Sequence, residues 1–206
     1  MRDVPRVTSL LAVIARPGQE SADLGALLYA FRRSGARLAV LSLTRGEASP
    51  LNSTIERLET RRLWELQVAA GLLGVTGLAV ADYPDGGLAR RPAQELAELV
   101  GREIRRHAAD LVIIIDPATD DSDEAVVAGA VRAAAAQAGV PTVVRMTLGT
   151  GAGRVITLGP EARAARTVQR SAAAAHSSQA EALPEVERRL TLMGDHEMVR
   201  WLAPAA

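Results

Sequence analysis

The sequence of 206 residues contains no cysteine and no lysine, so all 24 of its basic residues are arginine. The absence of cysteine excludes thiol catalysis, disulfides and thiolate metal sites, and the absence of lysine excludes a P-loop lysine and Schiff-base chemistry. Histidine occurs only three times, at His107, His176 and His196. A metal site built from three histidines would therefore need every histidine in the chain.

An excess of charge of either sign is also absent, because 24 acidic residues balance the 24 basic ones and the two kinds are interspersed. This balance argues against nucleic-acid binding and against a basic patch for membrane surfaces. The apolar run 9–15 is too short for the core of a signal peptide, and no segment approaches the roughly 20 apolar residues of a membrane span. We expect a cytoplasmic protein with a single domain over 1–206.

Short apolar runs alternate with segments of helical periodicity along the chain. Buried strands are predicted at 9–15, 37–44, 77–82, 110–115 and 141–148, and helices at 21–34, 53–73, 91–107, up to about 138, 161–179 and 184–193. This alternation is typical of βαβ units. It predicts an α/β fold, a three-layer sandwich with a mostly parallel sheet and helices on both faces. The core is expected over about 6–180, followed by a helical tail over 181–206.

A glycine-rich segment at 149–153 follows the fifth predicted strand. Its spacing of glycines resembles part of a nucleotide-binding loop, but it lies between two β-like runs and does not open a helix. We therefore predict that it is the turn of a hairpin.

Polar residues follow three of the predicted strands. Arg16, Gln19 and Glu20 come after the first strand and Arg45 and Glu47 after the second, while the fourth is followed by Asp116, Asp120, Asp121, Asp123 and Glu124. Since ligands of open α/β sheets bind at the carboxyl ends of the strands, we expect these side chains to converge. The acidic loop could hold Ca²⁺ or Mg²⁺, but Asp123 and Glu124 also lie where a helix N-terminus favours negative charge, and we favour that second interpretation.

Several short motifs occur in an order that resembles a known family. They are Ala15-Arg16-Pro17-Gly18-Gln19-Glu20, Thr44-Arg45-Gly46-Glu47, Arg62-Leu63-Trp64-Glu65, Leu73-Gly74-Val75, Pro84-Asp85-Gly86-Gly87-Leu88 and His176-Ser177-Ser178-Gln179. The chain is similar in these motifs to the LmbE-like or PIG-L superfamily of zinc-dependent de-N-acetylases, which act on N-acetylglucosaminyl conjugates. The resemblance implies a Rossmann-like fold and covers most of the chain.

The chain departs from this family at the positions that carry its chemistry. The resemblance implies zinc ligands at the positions of Arg16 and Gln19, a general base at Gly18, and a further ligand that aligns best with Asp123. Guanidinium has no lone pair for a metal, an amide is a poor zinc ligand, and glycine has no side chain. Zinc lowers the pKa of bound water from 15.7 to about 7, so its loss makes hydroxide scarcer by roughly eight powers of ten. We therefore expect no zinc cofactor and no zinc-dependent deacetylation.

The sequence also suggests contacts for Arg16, Arg62 and His176. Arg16 is expected to occupy the zinc position and to pair with Asp123, Asp116 or Asp120. Arg62 either binds anionic or sugar groups or pairs with Glu65, and His176 is either a pocket residue or a surface histidine of a helix. The resemblance also places Asp85 among the expected binding residues.

The favoured functional hypothesis is a pseudoenzyme of the deacetylase fold. It would bind a sugar-like ligand or a partner protein, as a homo-oligomer or as a hetero-oligomer with an active homologue. The alternative is an active metal-dependent hydrolase with a non-standard site, in which His176 or the aspartates take new roles. A third hypothesis is a structural role in a larger assembly.

Overall fold

A computed structural model describes residues 6–51, 57–117, 122–146 and 153–202. The chain forms one seven-stranded sheet with the strand order β3-β2-β1-β4-β5-β7-β6. The first five strands are parallel, and β7 is antiparallel to both of its neighbours. The strands are β1 Ser9–Ile14, β2 Arg37–Thr44, β3 Gly77–Tyr83, β4 Leu111–Ile115, β5 Thr142–Arg145, β6 Arg154–Thr157 and β7 His196–Leu202.

Helices cover both faces of this sheet. They are α1 Gln19–Ala22, α2 Gly25–Arg33, α3 Leu58–Leu73, α4 Ala93–His107, α5 Ser122–Ala138, α6 Ala162–Ala175 and α7 Leu183–Met193, with 3₁₀ turns at Leu88–Arg90, Gly159–Glu161 and Ser177–Ala182. One apolar core contains residues of α4 and α5, and the other contains residues of α2, α3 and α6. The predicted α/β three-layer sandwich is therefore confirmed.

The position of β1 in the middle of the sheet explains why its sequence is continuously apolar. Leu11 and Val13 belong to the core under α4 and α5, whereas Leu10, Ala12 and Ile14 belong to the opposite core. Successive side chains of a strand point to opposite faces, so a strand covered by helices on both sides needs apolar residues at every position. This packing fixes the loop after β1 at the carboxyl edge of the sheet.

Two predictions about the end of the chain are wrong. The sequence predicts a helical tail over 181–206, but α7 ends at Met193 and His196–Leu202 form β7. The hairpin turn predicted at 149–153 would join neighbouring strands, but β7 lies between β5 and β6 in the sheet. Residues 149–152 of that glycine-rich segment lie outside the described residues.

The physical reason for the first error is a buried charge in β7. Glu197 is 1% exposed, and its carboxylate lies 2.6 Å from Arg166 Nη1 and 3.5 Å from Arg145 Nε. Both arginines are themselves buried. A charged residue at an inward strand position disrupts the alternation of apolar and polar residues by which a strand is recognised, and only the folded chain supplies its cations.

The first predicted helix is also interrupted. The periodicity predicts one helix over 21–34, whereas α1 ends at Ala22 and α2 begins at Gly25. Asp23, between the two, is paired with Arg189 at 2.9 Å and with Arg145 at 3.6 Å. Gln169 also donates to the carbonyl oxygens of Ser21 and Ala22 at 3.1 Å each. These contacts hold the short helix α1 beside the loop that follows β1.

Candidate functional site

The loops after β1, β2 and β3 surround a cleft with two lobes. The first lobe has a volume of about 160 Å³ and the second about 310 Å³. Arg16, Arg62 and Gln179 line both lobes, which is why we treat them as one cleft. Its position at the carboxyl ends of parallel strands is the usual ligand position of open α/β sheets.

Arg16 forms an ion pair with a carboxylate that the sequence hypothesis did not name as its partner. Its Nε atom lies 3.2 Å from Oδ1 of Asp85, in the loop after β3. The Arg16 side chain is 28% exposed and that of Asp85 only 5%. Asp85 is held in turn by the backbone N–H of Ala48, which donates to Oδ2 at 3.2 Å. The guanidinium group is thereby fixed at the boundary between the two lobes.

The loop after β4 is arranged differently from the prediction. Asp116 faces Arg200 of β7, with 3.5 Å between Oδ1 and Nη2. Asp123 is fully buried, and its two carboxylate oxygens accept the backbone N–H groups of Gly86 and Leu88 at 2.8 and 3.0 Å. The described hydrogen bonds of Asp123 thus fasten the loop after β3, and neither aspartate lines the cleft. Asp120 lies outside the described residues, so its pairing with Arg16 stays a prediction.

Arg62 is buried beneath the cleft and ties two of its loops together. Nη1 donates to the carbonyl oxygen of Gly46 at 2.5 Å, and Nη2 donates to that of Pro17 at 2.6 Å. Burial lowers the pKa of the guanidinium group, the Asp85 carboxylate raises it, and repulsion from Arg16 lowers it again, with a net decrease. No carboxylate of the described residues forms an ion pair with Arg62. Its described hydrogen bonds go to carbonyl oxygens, and Asp85, Glu65 and Glu20 act on its charge from a greater distance.

The interpretation of Arg62 as a partner of Glu65 is therefore wrong. Glu65 instead accepts a hydrogen bond from Arg61 Nε at 2.8 Å, and from the hydroxyl groups of Ser177 and Ser178 at 2.9 and 2.6 Å. Burial raises the pKa of this carboxyl group, but the hydrogen bonds lower it more, so the net pKa lies below its usual value. Glu65 fixes the start of the 3₁₀ segment that forms one wall of the cleft.

The contacts of Gln19 show whether the residues of this loop could hold the zinc ion that the resemblance implies. Its Oε1 atom accepts the backbone N–H groups of Ala15 and Arg16 at 2.9 and 3.2 Å, and its Nε2 atom donates to Glu124 Oε1 at 2.6 Å. The only lone pairs that Gln19 could offer a metal are thus directed at the main chain. Together with a guanidinium group at position 16 and Gly18 without a side chain, these residues do not fit zinc. Within the described residues, no cluster of three or more His, Asp or Glu could hold a metal ion.

His176 is a buried pocket residue, and the interpretation as a surface histidine is wrong. It is 3% exposed, and its Nε2 atom lies 2.7 Å from Glu20 Oε1. Glu20 also accepts hydrogen bonds from the Ser21 hydroxyl at 2.5 Å and the Gly18 backbone N–H at 2.8 Å. Burial raises the pKa of Glu20, but the charge and hydrogen bond of His176 contribute to a net pKa below the usual value.

Two residues that the sequence did not single out for binding also line the cleft. Ser49 donates to Gln179 Oε1 at 2.7 Å, which links the loop after β2 to the 3₁₀ segment, and both residues line the second lobe. Gln179 could have been found, because it ends the His176-Ser177-Ser178-Gln179 motif. Ser49 carries no comparable signal. The structure thus gathers Arg16, Gln19, Arg62, Asp85 and His176 around one cleft, with Glu20 directly behind His176.

Comparisons with known proteins agree with this fold. The sequence profile of PIG-L, described as GlcNAc-PI de-N-acetylase, matches residues 11–135. No relative among curated proteins matches the chain. Among solved structures, the conserved protein TT1542 from Thermus thermophilus is 22% identical, with 96% of this chain and 95% of that one covered and a TM-score of 0.78.

Two other similar structures have different named activities. The N,N'-diacetylchitobiose deacetylase from Pyrococcus horikoshii is 14% identical, with coverages of 96% and 85% and a TM-score of 0.77. The 4-carboxy-2-hydroxymuconate hydratase from Pseudomonas putida KT2440 is also 14% identical, with coverages of 97% and 98% and a TM-score of 0.76. At these identities the likeness establishes the fold alone.

Proposed function

Because the chain belongs to the PIG-L family of GlcNAc-PI de-N-acetylases, we propose that it is a binding member of that family. It holds an anionic sugar conjugate in the cleft and does not carry out zinc-dependent de-N-acetylation. The observation that carries this proposal is the position of Arg16, which lines both lobes of the cleft. In the sequence it stands where the resemblance implies a zinc-binding histidine.

The charge of the cleft supports an anionic ligand. Arg16 is paired with Asp85, and Arg62 adds a second positive charge whose described hydrogen bonds go to carbonyl groups. Arg62 stays charged because guanidinium does not lose its proton in proteins. The described residues around the two lobes therefore leave one positive charge, that of Arg62, without a carboxylate partner. A phosphate or carboxylate group on the ligand would compensate it, and the planar fork of Arg16 suits either group.

The shape and remaining lining support a sugar. The second lobe, at about 310 Å³, lies within the usual range for small-molecule sites. Ser49, Asp85 and Gln179 offer it donors and acceptors for hydroxyl groups. The first lobe adds an apolar wall from Ala173, Leu183 and Val186, against which a nonpolar part of the conjugate could pack.

The alternative is an active hydrolase with a non-standard site, and one observation favours it. The buried pair of Glu20 and His176 is a carboxylate–imidazole arrangement, and the Nδ1 atom of His176 has no hydrogen-bond partner among the described residues. A carboxylate that orients an imidazole is a common arrangement for acid–base catalysis. In this alternative, His176 would move a proton at Nδ1.

Calorimetric titration with N-acetylglucosamine 1-phosphate tests the proposed binding site. We expect the wild type to bind this probe, and the variant Arg16→Gln to bind it at least about tenfold more weakly because a charge-assisted contact is lost. The matched control is Arg33→Gln, since Arg33 pairs with Glu161 and is 59% exposed outside the cleft. Equal affinity of wild type and Arg16→Gln would contradict the proposed site.

A second measurement tests the proposed absence of zinc chemistry. Protein purified without chelators should contain no stoichiometric zinc and should release no acetate from the probe. A variant with Arg16→His, Gly18→Asp, Gln19→Asp and Glu124→His supplies the expected donor types. Glu124 is changed in place of Asp123, because Glu124 contacts Gln19 whereas Asp123 holds the loop after β3. We expect this variant to bind Zn²⁺. Stoichiometric zinc together with acetate release by the wild type would overturn the proposal in favour of the hydrolase.

A further inference from the structure

A groove lies between α6 and α7, apart from the cleft, and we refer to it as the α6–α7 groove. Its volume is about 500 Å³, which lies in the usual range for small-molecule sites. It shares no lining residue with the cleft. Its polar lining residues come from α6, from α7 and from the segment before β7, and they are Arg163, Arg166, Thr167, Arg170, Thr191 and Asp195.

Three of these residues are arginines on one face of α6. Arg163, Arg166 and Arg170 are separated by three and four positions, a spacing that places side chains on the same face of a helix. The helix contains no acidic residue. The sequence of α6 therefore concentrates positive charge along the groove.

Arg166 forms a fixed part of the groove before any ligand binds. It is 4% exposed, and four of its five N–H groups donate to acceptors in the protein, which belong to Gln169, Glu197, Gly194 and His196. The fifth N–H group, at Nη2, has no acceptor among the described residues. A ligand that accepts this N–H does not have to order the side chain, so binding costs less conformational entropy.

The other two arginines keep most of their donors for a ligand. The guanidinium group of Arg163 is exposed and has no hydrogen bond or ion pair among the described residues. Arg170 uses only its Nε atom, which donates to Glu187 at 2.7 Å. The two residues are about 10 Å apart along the helix axis. Their long side chains can therefore both reach a group that lies above Arg166.

The charges around the groove favour an anion. The buried network behind Arg166 contains three arginines and two carboxylates, namely Arg145, Arg166, Arg189, Asp23 and Glu197. Glu187 balances Arg170, and Asp195, which also lines the groove, offsets the charge of Arg163. One positive charge therefore remains among these groups.

The remaining polar groups of the groove are hydrogen-bond acceptors. The hydroxyl groups of Thr167 and Thr191 donate to carbonyl oxygens of their own helices at 2.9 and 2.8 Å, so they offer a ligand only lone pairs. The Asp195 carboxylate is 55% exposed and also only accepts. Inorganic phosphate carries too few donors for these three groups, whereas the hydroxyl groups of a sugar supply several.

We propose that the α6–α7 groove is a second ligand site, which binds a phosphorylated sugar. The phosphate group accepts hydrogen bonds from Arg163, Arg166 and Arg170, and it suits them because its oxygens accept from several directions at once. The sugar hydroxyl groups donate to Thr167, Thr191 and Asp195. This site does not depend on the function proposed for the cleft.

Calorimetric titration of the Arg16→Gln variant with glucose 6-phosphate tests the groove separately from the cleft. We expect this variant to bind the probe. Adding Arg163→Gln and Arg170→Gln should weaken binding at least about tenfold, because charge-assisted hydrogen bonds are lost. The matched control instead adds Arg188→Gln, which removes a charge from an exposed pair with Glu185 on α7 and should leave the affinity unchanged.

Two results of this titration would overturn the second site. One is that the Arg16→Gln variant does not bind glucose 6-phosphate. The other is that the changes in the groove weaken binding no more than the Arg188→Gln control does. Circular dichroism should show that all of these variants are folded.

A comparison with inorganic phosphate tests the sugar. In the Arg16→Gln variant, glucose 6-phosphate should bind at least about tenfold more tightly than inorganic phosphate. Adding Asp195→Ala removes a negative charge, so inorganic phosphate should bind no more weakly, but glucose 6-phosphate should lose most of its advantage. Equal affinity for the two probes before Asp195 is changed would overturn a phosphorylated sugar as the ligand.

Discussion

The variant Glu197→Gln should unfold far more easily than the wild type. Glu197 is 1% exposed and is the shared partner of two arginines that are themselves 1% and 4% exposed, Arg145 and Arg166. The amide keeps the volume of the carboxylate but removes its charge. Arg166 is then left in the interior without its described anion, and Arg145 keeps only Asp23 at 3.6 Å.

The magnitude follows from that uncompensated charge. Breaking a buried ion pair by neutralising one partner costs about 3–5 kcal/mol. The total free energy of unfolding of a domain is about 5–15 kcal/mol, so the loss is a large fraction of it. For a domain of about 200 residues, 1 kcal/mol corresponds to roughly 2–4 °C, which predicts a decrease in Tm of roughly 6–20 °C.

The assay is thermal and urea unfolding followed by circular dichroism. The matched control is Glu187→Gln, which removes the same charge from the pair of Glu187 with Arg170 at 2.7 Å, where the side chains are 49% and 38% exposed. Exposed pairs contribute less than about 1 kcal/mol, so this control should unfold almost like the wild type. If both variants lost the same small amount of stability, the reasoning about the buried network would be refuted.

Three further predictions concern the cleft. The pKa of Glu20 is lowered in the folded state, so the unfolded chain binds more protons at low pH. The stabilisation that the Glu20 carboxylate provides is therefore complete above its ordinary pKa of 4.5 and is lost as the pH falls below that value. Urea unfolding between pH 6 and about pH 3 should depend less on pH in Glu20→Gln than in the wild type. Asp123→Asn should cost about 1–3 kcal/mol and raise the hydrogen exchange rate of the backbone amides of the loop after β3, and unchanged exchange would contradict its anchoring role. Gly46→Ala should destabilise the protein more than Gly35→Ala: both positions have positive φ, but only at Gly46 would a Cβ collide with Arg62. Equal changes in Tm would show that the Arg62 contact is unimportant.

The strand β1 and the loop after it show most clearly which features can be predicted from the sequence. The apolar run and the Pro17-Gly18 break identify a buried strand and the turn after it, because burial on both faces and backbone geometry are local requirements. The order of the motifs identifies the family, and the residue types at positions 16, 18 and 19 are the basis of the prediction that no zinc is bound. The structure adds that the side-chain oxygen of Gln19 accepts two backbone N–H groups.

The partners of these residues depend on contacts between distant parts of the chain. Asp85 is 69 positions from Arg16, and His176 is 156 positions from Glu20. Several aspartates were equally plausible partners for Arg16, and nothing local distinguishes the one that the loop after β3 brings next to it.

The sequence by itself determined the α/β sandwich and the family, since periodicity, turns and residue chemistry act over short stretches. It also showed other residue types where the resemblance implies zinc ligands. Only the tertiary structure decided that residues 196–202 form a strand between β5 and β6, that Arg16 pairs with Asp85, and that His176 is buried against Glu20. A buried charge such as Glu197 is stable only beside its partners, and those partners meet only when the chain has folded.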